Sequence, residues 1–222
     1  MRGFFIFNKN FQMNYKSYSI IAFFFTLNLL AQSKAVTETG ETVLLYNDGT
    51  WVYEDQSAND VKEIALNPEV FTKDEASNFL VKSRKADIGV YLNPKQWSFK
   101  KAEANTEAEY EFQHKQEDIF GMLISEKLEI PLETMKVIAL ENGQEVAPDL
   151  KIVKQEYRNV NGIKVLLLQM DGTMQGIKFS YYGYYYSNET GTVQLITYTA
   201  QNLMASYRPF SETLLNGLVK LE

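Results

Sequence analysis

The chain has 222 residues, of which 45% are hydrophobic and 14% aromatic, and its net charge at pH 7 is −6. This length suits one main globular core, since domains of about 100 to 200 residues are usual. The sequence has no cysteine and a single histidine, His114, which excludes disulfides, cysteine-ligated metal sites, thiol nucleophiles and any histidine pair within one chain.

The first 35 residues are basic and strongly apolar. They carry four basic residues and no acidic one, and Lys16 precedes an apolar run of eleven residues, Ile20–Leu30. A basic segment followed by a short apolar run and small residues is typical of a secretory leader. We therefore predict a signal peptide over residues 1–35, with cleavage after Ala31 or Ala35.

The length of this apolar run argues against a membrane anchor. A spanning helix needs roughly 20 apolar residues, so we expect no transmembrane segment after cleavage. Met13 begins a leader of more ordinary length and is an alternative start of the chain. The mature protein is expected in the periplasm or outside the cell.

The charge of the mature chain bears on its partners. Without residues 1–35 it has 18 basic and 28 acidic residues, a net charge of −10. Nucleic-acid binding needs a face rich in lysine and arginine, so we expect no nucleic-acid partner. The same charge disfavours anionic membrane surfaces.

A small hairpin is predicted at the start of the mature chain. Short strands at 41–46 and 51–54 flank Asp48-Gly49, where glycine supplies the positive φ of a tight turn. We assign residues 36–56 to this hairpin and the polar residues 57–69 to a linker.

Residues 70–222 are predicted to form the main domain. A capping box at Thr72–Glu75 predicts a helix with Ala76, Phe79 and Leu80 on its apolar face. A second helix is predicted over 131–142 with Gly143 as its C-terminal cap, and residues 203–221 have a helical pattern interrupted at Arg208-Pro209. Strands are predicted at 88–92, 97–101, 108–114, 119–124, 152–157, 163–170, 177–186 and 192–200.

The strand pattern predicts the fold class. Turns at Asn161-Gly162 and Asp171–Thr173 predict hairpins, and therefore a mostly antiparallel sheet. Residues 163–170 show little polar alternation, which indicates that both faces of the sheet are covered. We predict an α+β fold in which helices cover both faces, an α/β/α sandwich.

The order of these elements resembles the PsbP-like fold family over about residues 70–222. The resemblance includes Asn-Pro-x-x-Trp at 93–97, Ile-Pro-Leu-Glu-Thr at 130–134 and the aromatic hairpin at 181–198. That family includes an extrinsic photosystem protein, a nuclear-transport regulator and small envelope-associated bacterial proteins, and its members share a scaffold rather than a chemistry. The segment at 40–51 is similar to hairpins of secreted Bacteroidetes-type proteins of unknown function.

Candidate catalytic residues are few. A serine–histidine–acid triad would need His114, but the sequence has no Gly-x-Ser-x-Gly motif, and an ordinary strand histidine is the preferred interpretation. A glycosidase would need two acids about 5 to 9 Å apart, with Glu126, Glu129, Glu133 and the 103–111 glutamates as candidates. Alternating glutamates more often form a solvated strand face. We therefore predict no catalytic residues.

Metal and cofactor sites are also not expected. Asp48-Gly49 and Asp171-Gly172 lack the further acids of a calcium loop, so we interpret both as turns. Asn188–Thr190 fits a glycosylation sequon, but it fits a hairpin loop equally well.

The aromatic strand 181–186 is the main binding candidate. Alternation places Tyr181 and Tyr185 on one face and Tyr182, Tyr184 and Tyr186 on the other. The second set is either covered by a helix or forms a recognition surface, because tyrosine is favoured at interfaces.

These patterns favour an exported, non-catalytic binding or assembly module that engages a protein or apolar peptide in the cell envelope. Two alternatives remain open. One is a hydrolase of an envelope polymer, and the other is a carrier of lipid or another small apolar ligand.

Overall fold

The structure is a computed structural model that describes residues 33–36, 42–45, 51–53, 64–103 and 107–221. The chain divides into two compact units, residues 1–63 and 64–222. The apolar run of the predicted leader, the Asp48-Gly49 turn and most of the predicted linker lie outside the described residues.

The first unit contains a three-stranded antiparallel sheet. Its strands β1 (Ser33–Val36), β2 (Thr42–Leu45) and β3 (Trp51–Tyr53) are hydrogen-bonded in chain order. The two predicted hairpin strands correspond to β2 and β3, whereas β1 is an additional strand whose first three residues belong to the predicted leader.

The second unit is α+β, as predicted. Its elements are β4 (Leu66–Phe71), β5 (Phe79–Lys82), β6 (Ile88–Leu92), β7 (Trp97–Lys101), β8 (Ala108–His114), β9 (Phe120–Glu126), α1 (Leu132–Val146), β10 (Lys151–Val160), β11 (Ile163–Met174), β12 (Ile177–Asn188), β13 (Gly191–Ala200), α2 (Met204–Leu215) and β14 (Leu218–Lys220).

Eight strands form one large mixed sheet in the order β4-β10-β11-β12-β13-β9-β8-β7. All neighbours pair antiparallel except β4 and β10, which are parallel. A small antiparallel sheet has the order β14-β6-β5. The edge strands of the large sheet are therefore β4 and β7.

Both faces of strand β11 are buried, as its sequence predicts. Val165 and Leu167 belong to one apolar cluster, and Leu166, Leu168 and Met170 belong to another. All five are at most 3% exposed. Because side chains alternate between the faces of a strand, the central sheet separates two hydrophobic cores.

The two cores are covered differently. Helix α1 contributes Met135 and Ala139 to the second cluster. Helix α2 contributes Leu214 and Leu215 to the first, together with side chains of the small sheet such as Val90. The mostly antiparallel α+β arrangement is confirmed. The α/β/α sandwich is not, because strands as well as a helix cover the first cluster.

The helix predicted from the capping box at Thr72–Glu75 is wrong. The side chain of Asp74 accepts a hydrogen bond from the backbone N–H of Ala76 at 2.8 Å, and the local structure is a turn. The next residues form strand β5, in which Val81 pairs with Val90 of β6 and is buried. Tertiary pairing therefore overrides the local helical spacing.

Two glycines that the sequence assigned to a helix cap and a turn have a packing role instead. Helix α1 runs past Gly143 to Val146, and Gly172 lies within β11. A Cβ at either glycine would meet the side chain of Leu150, so both glycines leave room for this buried leucine. The observed turn follows at Gln175-Gly176, with φ of 52° and 81°.

Other turn and helix predictions are confirmed in part. The Asn161-Gly162 turn is present, with φ of 48° and 82°. The closing helix α2 contains Pro209 rather than stopping at it. Residues 218–220, predicted as helix, form β14, which pairs with β6.

Candidate functional site

Tyr182, Tyr184 and Tyr186, expected either beneath a cover or on a recognition surface, are buried. Tyr182 and Tyr184 have no exposed surface, and Tyr186 is 9% exposed. The predicted alternation is correct, since Tyr181 and Tyr185 pack in the other cluster. The covered alternative is therefore the one observed, with α2 and the small sheet over this face.

Arg158 lies beside two of these tyrosines, and all three nitrogens of its guanidinium group donate hydrogen bonds. Its Nη1 donates to the hydroxyl of Tyr184 at 3.0 Å and to Glu212 at 3.1 Å. Its Nη2 donates to the hydroxyl of Tyr182 at 3.2 Å, and its Nε donates to Glu156 at 2.6 Å. The side chain is only 4% exposed.

Helix α2 closes this arrangement. The Tyr182 hydroxyl donates to Glu212 at 2.8 Å, and the Tyr184 hydroxyl donates to Asn216, just after the helix, at 2.8 Å. The guanidinium also lies over the ring of Phe71, 4.2 Å from its centroid. We call Arg158, Tyr182, Tyr184, Glu156 and Glu212 the arginine cluster. It joins β10, β12 and α2.

The electrostatics of the arginine cluster favour one charge state. Burial alone would lower the pKa of Arg158, but the hydroxyls of Tyr184 and Tyr182 and the Glu156 carboxylate raise it overall. Burial raises the pKa of Tyr184 to about 12, against the opposing effect of Arg158. Burial alone would raise the pKa of Glu156, but its hydrogen bond from Arg158 lowers it overall, so the cluster keeps a charged arginine beside neutral tyrosines and an ionised Glu156.

An open groove of about 490 Å³ borders the arginine cluster. Asn161 holds its two sides together, because Oδ1 accepts from the N–H of Lys73 and Nδ2 donates to the carbonyl of Asn216. Charged and polar side chains predominate in the lining, which does not suit an apolar ligand. The lining residues are Thr72, Lys73, Asp74, Glu75, Pro209, Glu212, Thr213 and Asn216.

His114 is a buried core residue, only 3% exposed. Its Nδ1 accepts the backbone N–H groups of Gln116 and Glu117 at 3.4 and 3.2 Å. Its ring packs against Phe210 and Trp97, with centroids 4.7 and 5.2 Å away. Burial lowers the pKa of His114, and Glu117 opposes that shift. The imidazole is therefore neutral, with its proton on Nε2.

One glutamate of the strand face that was predicted to be solvated is buried. The side chain of Glu109 is 1% exposed. It accepts hydrogen bonds from the Ser83 hydroxyl at 2.7 Å and the Arg84 backbone at 2.6 Å. Burial would raise the pKa of Glu109, but these hydrogen bonds hold it below its ordinary value. An irregular register between Ala108 and Tyr110 breaks the alternation here.

The other candidate acids lie at separate places. Glu126 ends β9, Glu129 precedes α1, and both are exposed. Glu133 accepts a hydrogen bond from the hydroxyl of Tyr157, which lowers the pKa of Glu133. Asp171 accepts from Ser180 at 2.6 Å, and it lies in strand rather than in a turn.

An exposed pair of aromatic rings lies where two sheet edges meet. Phe79 of β5 and Phe99 of β7 are 45% and 39% exposed, and their ring centroids are 5.5 Å apart. Tyr110 lies behind Phe99, with a centroid distance of 6.0 Å. We call Phe79, Phe99 and strand β7 the aromatic edge. Sequence reasoning missed it because its two rings come from different sheets.

The backbone of β7 offers hydrogen-bonding groups along this edge. The N–H of Ala102 donates to the carbonyl of Glu109 at 3.2 Å. Hydrogen-bonded and non-hydrogen-bonded residues alternate in an antiparallel pair, so the even-numbered residues of β7 bond to β8. The N–H and C=O groups of Phe99 and Lys101 therefore point away from β8.

Neither a metal-binding cluster nor a membrane-spanning helix is present in the part of the chain that the structure describes. In those residues, no group of three histidine, cysteine or acidic side chains is arranged to hold a metal ion. No helix among them is long and apolar enough to cross a membrane.

Comparisons with known proteins give similarity of structure only. No protein-family model matches the chain, and no curated protein matches its sequence. The chain is similar to cyanobacterial PsbP from Synechocystis sp. PCC 6803, with 13% identity, 65% of this chain and 93% of that chain covered, and a TM-score of 0.49.

Two other solved structures are also similar to this chain. LpqN, involved in cell envelope biogenesis of Mycobacterium tuberculosis, has 10% identity over 64% of this chain and 88% of that chain, with a TM-score of 0.42. A Pseudomonas aeruginosa protein of unknown function has 15% identity over 64% and 95%, with a TM-score of 0.41. The PsbP-like resemblance predicted from element order thus recurs in the comparison of structures. At these identities and TM-scores it carries no argument about function.

Replacing Arg158 tests the arginine cluster. We expect Arg158→Met to lower the free energy of unfolding by about 3 to 5 kcal/mol, because half-buried Glu156 and two buried tyrosine hydroxyls lose their donor. The matched control is Arg84→Met, which removes a side chain that is 59% exposed. This substitution should lower the free energy of unfolding by at most about 1 kcal/mol. Urea unfolding measures both, and equal losses would contradict the structural role.

Protonation of His114 provides a separate test by pH. Its pKa is lower in the folded protein than the ordinary 6.5, so the unfolded chain binds the proton more readily. The contribution to stability is complete above about pH 6.5 and is lost as the pH falls through the folded-state pKa. We expect His114→Asn, whose carbonyl can still accept the Gln116 and Glu117 N–H groups, to remove this dependence.

Unfolding measured between about pH 7 and 5 separates this histidine from the carboxylates, which titrate mostly at lower pH. Because His114 is the only histidine, one imidazole signal in an NMR titration reports its pKa directly. A folded-state pKa above 6.5 would contradict the assigned neutral form.

Proposed function

We propose that the chain is an exported, non-catalytic binding module of the cell envelope that engages a polypeptide partner along the aromatic edge. The observation that carries this proposal is the exposed Phe79–Phe99 pair beside the outward-pointing backbone groups of β7. An edge strand with free N–H and C=O groups can pair with an extended peptide, and an adjacent apolar surface favours that pairing.

The placement of the candidate catalytic residues supports a binding role over hydrolysis. His114 is buried, and Glu109 is already occupied by hydrogen bonds from Ser83 and Arg84. The hydroxyl of Tyr157 engages Glu133. A polymer hydrolase would instead use two carboxyl groups that converge in a cleft.

A lipid carrier is also less well supported. Such a carrier would use an enclosed apolar cavity. The groove between residues 72–75 and 209–216 is open, and its lining includes Lys73, Asp74 and Glu212.

Capture of partners from envelope extracts tests the binding role. We expect the mature chain to enrich a polypeptide, and Phe99→Thr to lose most of that enrichment, because the substitution removes the exposed ring but suits a strand. The matched control is Val70→Thr in β4. Val70 is 70% exposed on the opposite edge of the same sheet, and its replacement should leave capture unchanged. Equal capture by all three proteins would contradict the proposed edge.

Export also predicts the first residue of the mature chain. Residues 33–36 pair with residues 42–45 in the sheet of the first unit. Cleavage after Ala35 would remove three of the four paired residues of β1, whereas cleavage after Ala31 would keep them all. We therefore expect N-terminal sequencing of the exported protein to begin at Gln32. A start at Val36, or a chain that retains the leader, would contradict this prediction.

A further inference from the structure

We infer that the aromatic edge takes an extended peptide in which apolar and acidic residues alternate, an inference that rests on the proposed binding function. Three features of β7 carry it. They are the direction of its backbone groups, the face on which its aromatic side chain lies, and its charge.

The backbone sets the form of the ligand. Phe99 and Lys101 direct N–H and C=O groups outward, two residues apart. Strand addition satisfies groups with this spacing, and it aligns the ligand's side chains with the alternation of β7. An extended peptide therefore matches the edge, whereas a helix, whose backbone groups are already paired, does not.

The side chains of β7 set the apolar positions of the ligand. Trp97 and Phe99 share a face, and Trp97 is packed in the first apolar cluster. A ligand residue opposite Phe99 lies on that same face, against the Phe79–Phe99 pair. Alternate ligand positions should therefore be apolar, and the intervening positions should face the other side, as Ser98 and Lys100 do.

The charge of the edge determines which residue type is expected at the intervening positions of the ligand. Residues 93–102 contain Lys95, Lys100 and Lys101 and no acid, although the whole chain has a net charge of −6. All three lysines are exposed. Within β7, Lys100 lies on the face of the intervening positions, whereas Lys101 shares the face of Phe99. Glu111 of the neighbouring strand pairs with Lys100 at 3.1 Å, and Glu103 follows the segment, so two acids stand against three lysines. Acidic side chains on an added strand complement this local positive charge.

The same lysines disfavour a second copy of this chain as the occupant. Pairing β7 with β7 would place Lys100 and Lys101 of each copy along two adjacent strands, where like charges repel. Lysines on an edge strand also discourage unwanted pairing of edges. Discrimination between acidic and basic ligands is therefore the decisive measurement.

Synthetic peptides provide the test. The probe is a capped peptide of about seven residues, the length of a typical strand, in which valine and glutamate alternate. One control has the same composition with the valines grouped together, and another replaces every glutamate with lysine. Titration of the isotopically labelled mature protein, followed by NMR, gives both the affinity and the residues that respond.

We expect amide shifts centred on residues 97–101 with the alternating acidic peptide. Affinity should be at least about tenfold weaker for each control, and it should fall as salt increases, because exposed charges are screened. The double substitution Lys100→Glu with Lys101→Glu should reverse the preference between the glutamate and lysine peptides. Phe99→Thr should weaken both peptides without reversing that preference.

Circular dichroism and the single imidazole signal of His114 establish that each variant is folded. Where the double substitution unfolds the protein, Lys100→Gln alone replaces it and should weaken only the acidic peptide. Shifts outside β7, equal affinity for both charges, or no binding at millimolar peptide would overturn the inference. Concentration-dependent self-association through residues 97–101, measured by sedimentation, would instead indicate a second copy and would also overturn it.

The capture experiment separates this inference from the proposed function. If capture depends on Phe99 but the acidic peptide is not preferred, the binding role is supported and only the inferred ligand chemistry is wrong. Failure of both experiments removes the binding role itself.

Discussion

Burial of both faces of the central strands is the constraint on which the rest of the structure depends. Val165 and Leu167 on one side of β11, and Leu166 and Leu168 on the other, must all leave water. Fully burying each such side chain stabilises the fold by about 1.5 to 3 kcal/mol, but it requires a cover on each face. Every polar atom enclosed with them then needs a partner, because an unpaired buried polar group is strongly destabilising.

The arginine cluster is the result of that requirement. Tyr182 and Tyr184 project from β12 into the first core, and their hydroxyl groups must be satisfied beneath α2. Arg158 donates to both hydroxyls and to Glu212, so one guanidinium from β10 satisfies groups of strand β12 and helix α2. Buried polar networks of this kind favour one arrangement of the cover, since a shifted helix would leave several of their groups unpaired.

The sequence predicts much of this fold because periodicity reports burial directly. The strands around Trp97 and Val165, the Asn161-Gly162 turn and the alternation of the tyrosines all follow from local patterns. Prediction fails where a distant residue decides the local structure. Leu150 requires glycine at 143 and 172, and pairing with β6 makes residues 79–82 a strand.

The candidate site illustrates the same limit. A tyrosine-rich strand is equally consistent with an exposed surface and with a buried core. Only the position of α2 shows that Tyr184 is enclosed. The aromatic edge has no signature in the sequence, since Phe79 and Phe99 are 20 positions apart and belong to different sheets. In the sequence, Lys100 and Lys101 are simply two adjacent charges, and only the structure places them on an edge strand.

When both faces of the main sheet are covered, edges, grooves and loops are the surfaces left for contact with a partner. Helices and strands occupy the faces here, and the groove beside Glu212 is lined mainly by charged and polar side chains. The edge strands remain, and they differ in chemistry. Strand β4 contains Pro68, which lacks the N–H that pairing requires. Strand β7 contains no proline, and its outward-pointing backbone groups lie beside an exposed aromatic pair. This difference makes β7 the edge at which an added strand gains both hydrogen bonds and apolar contact.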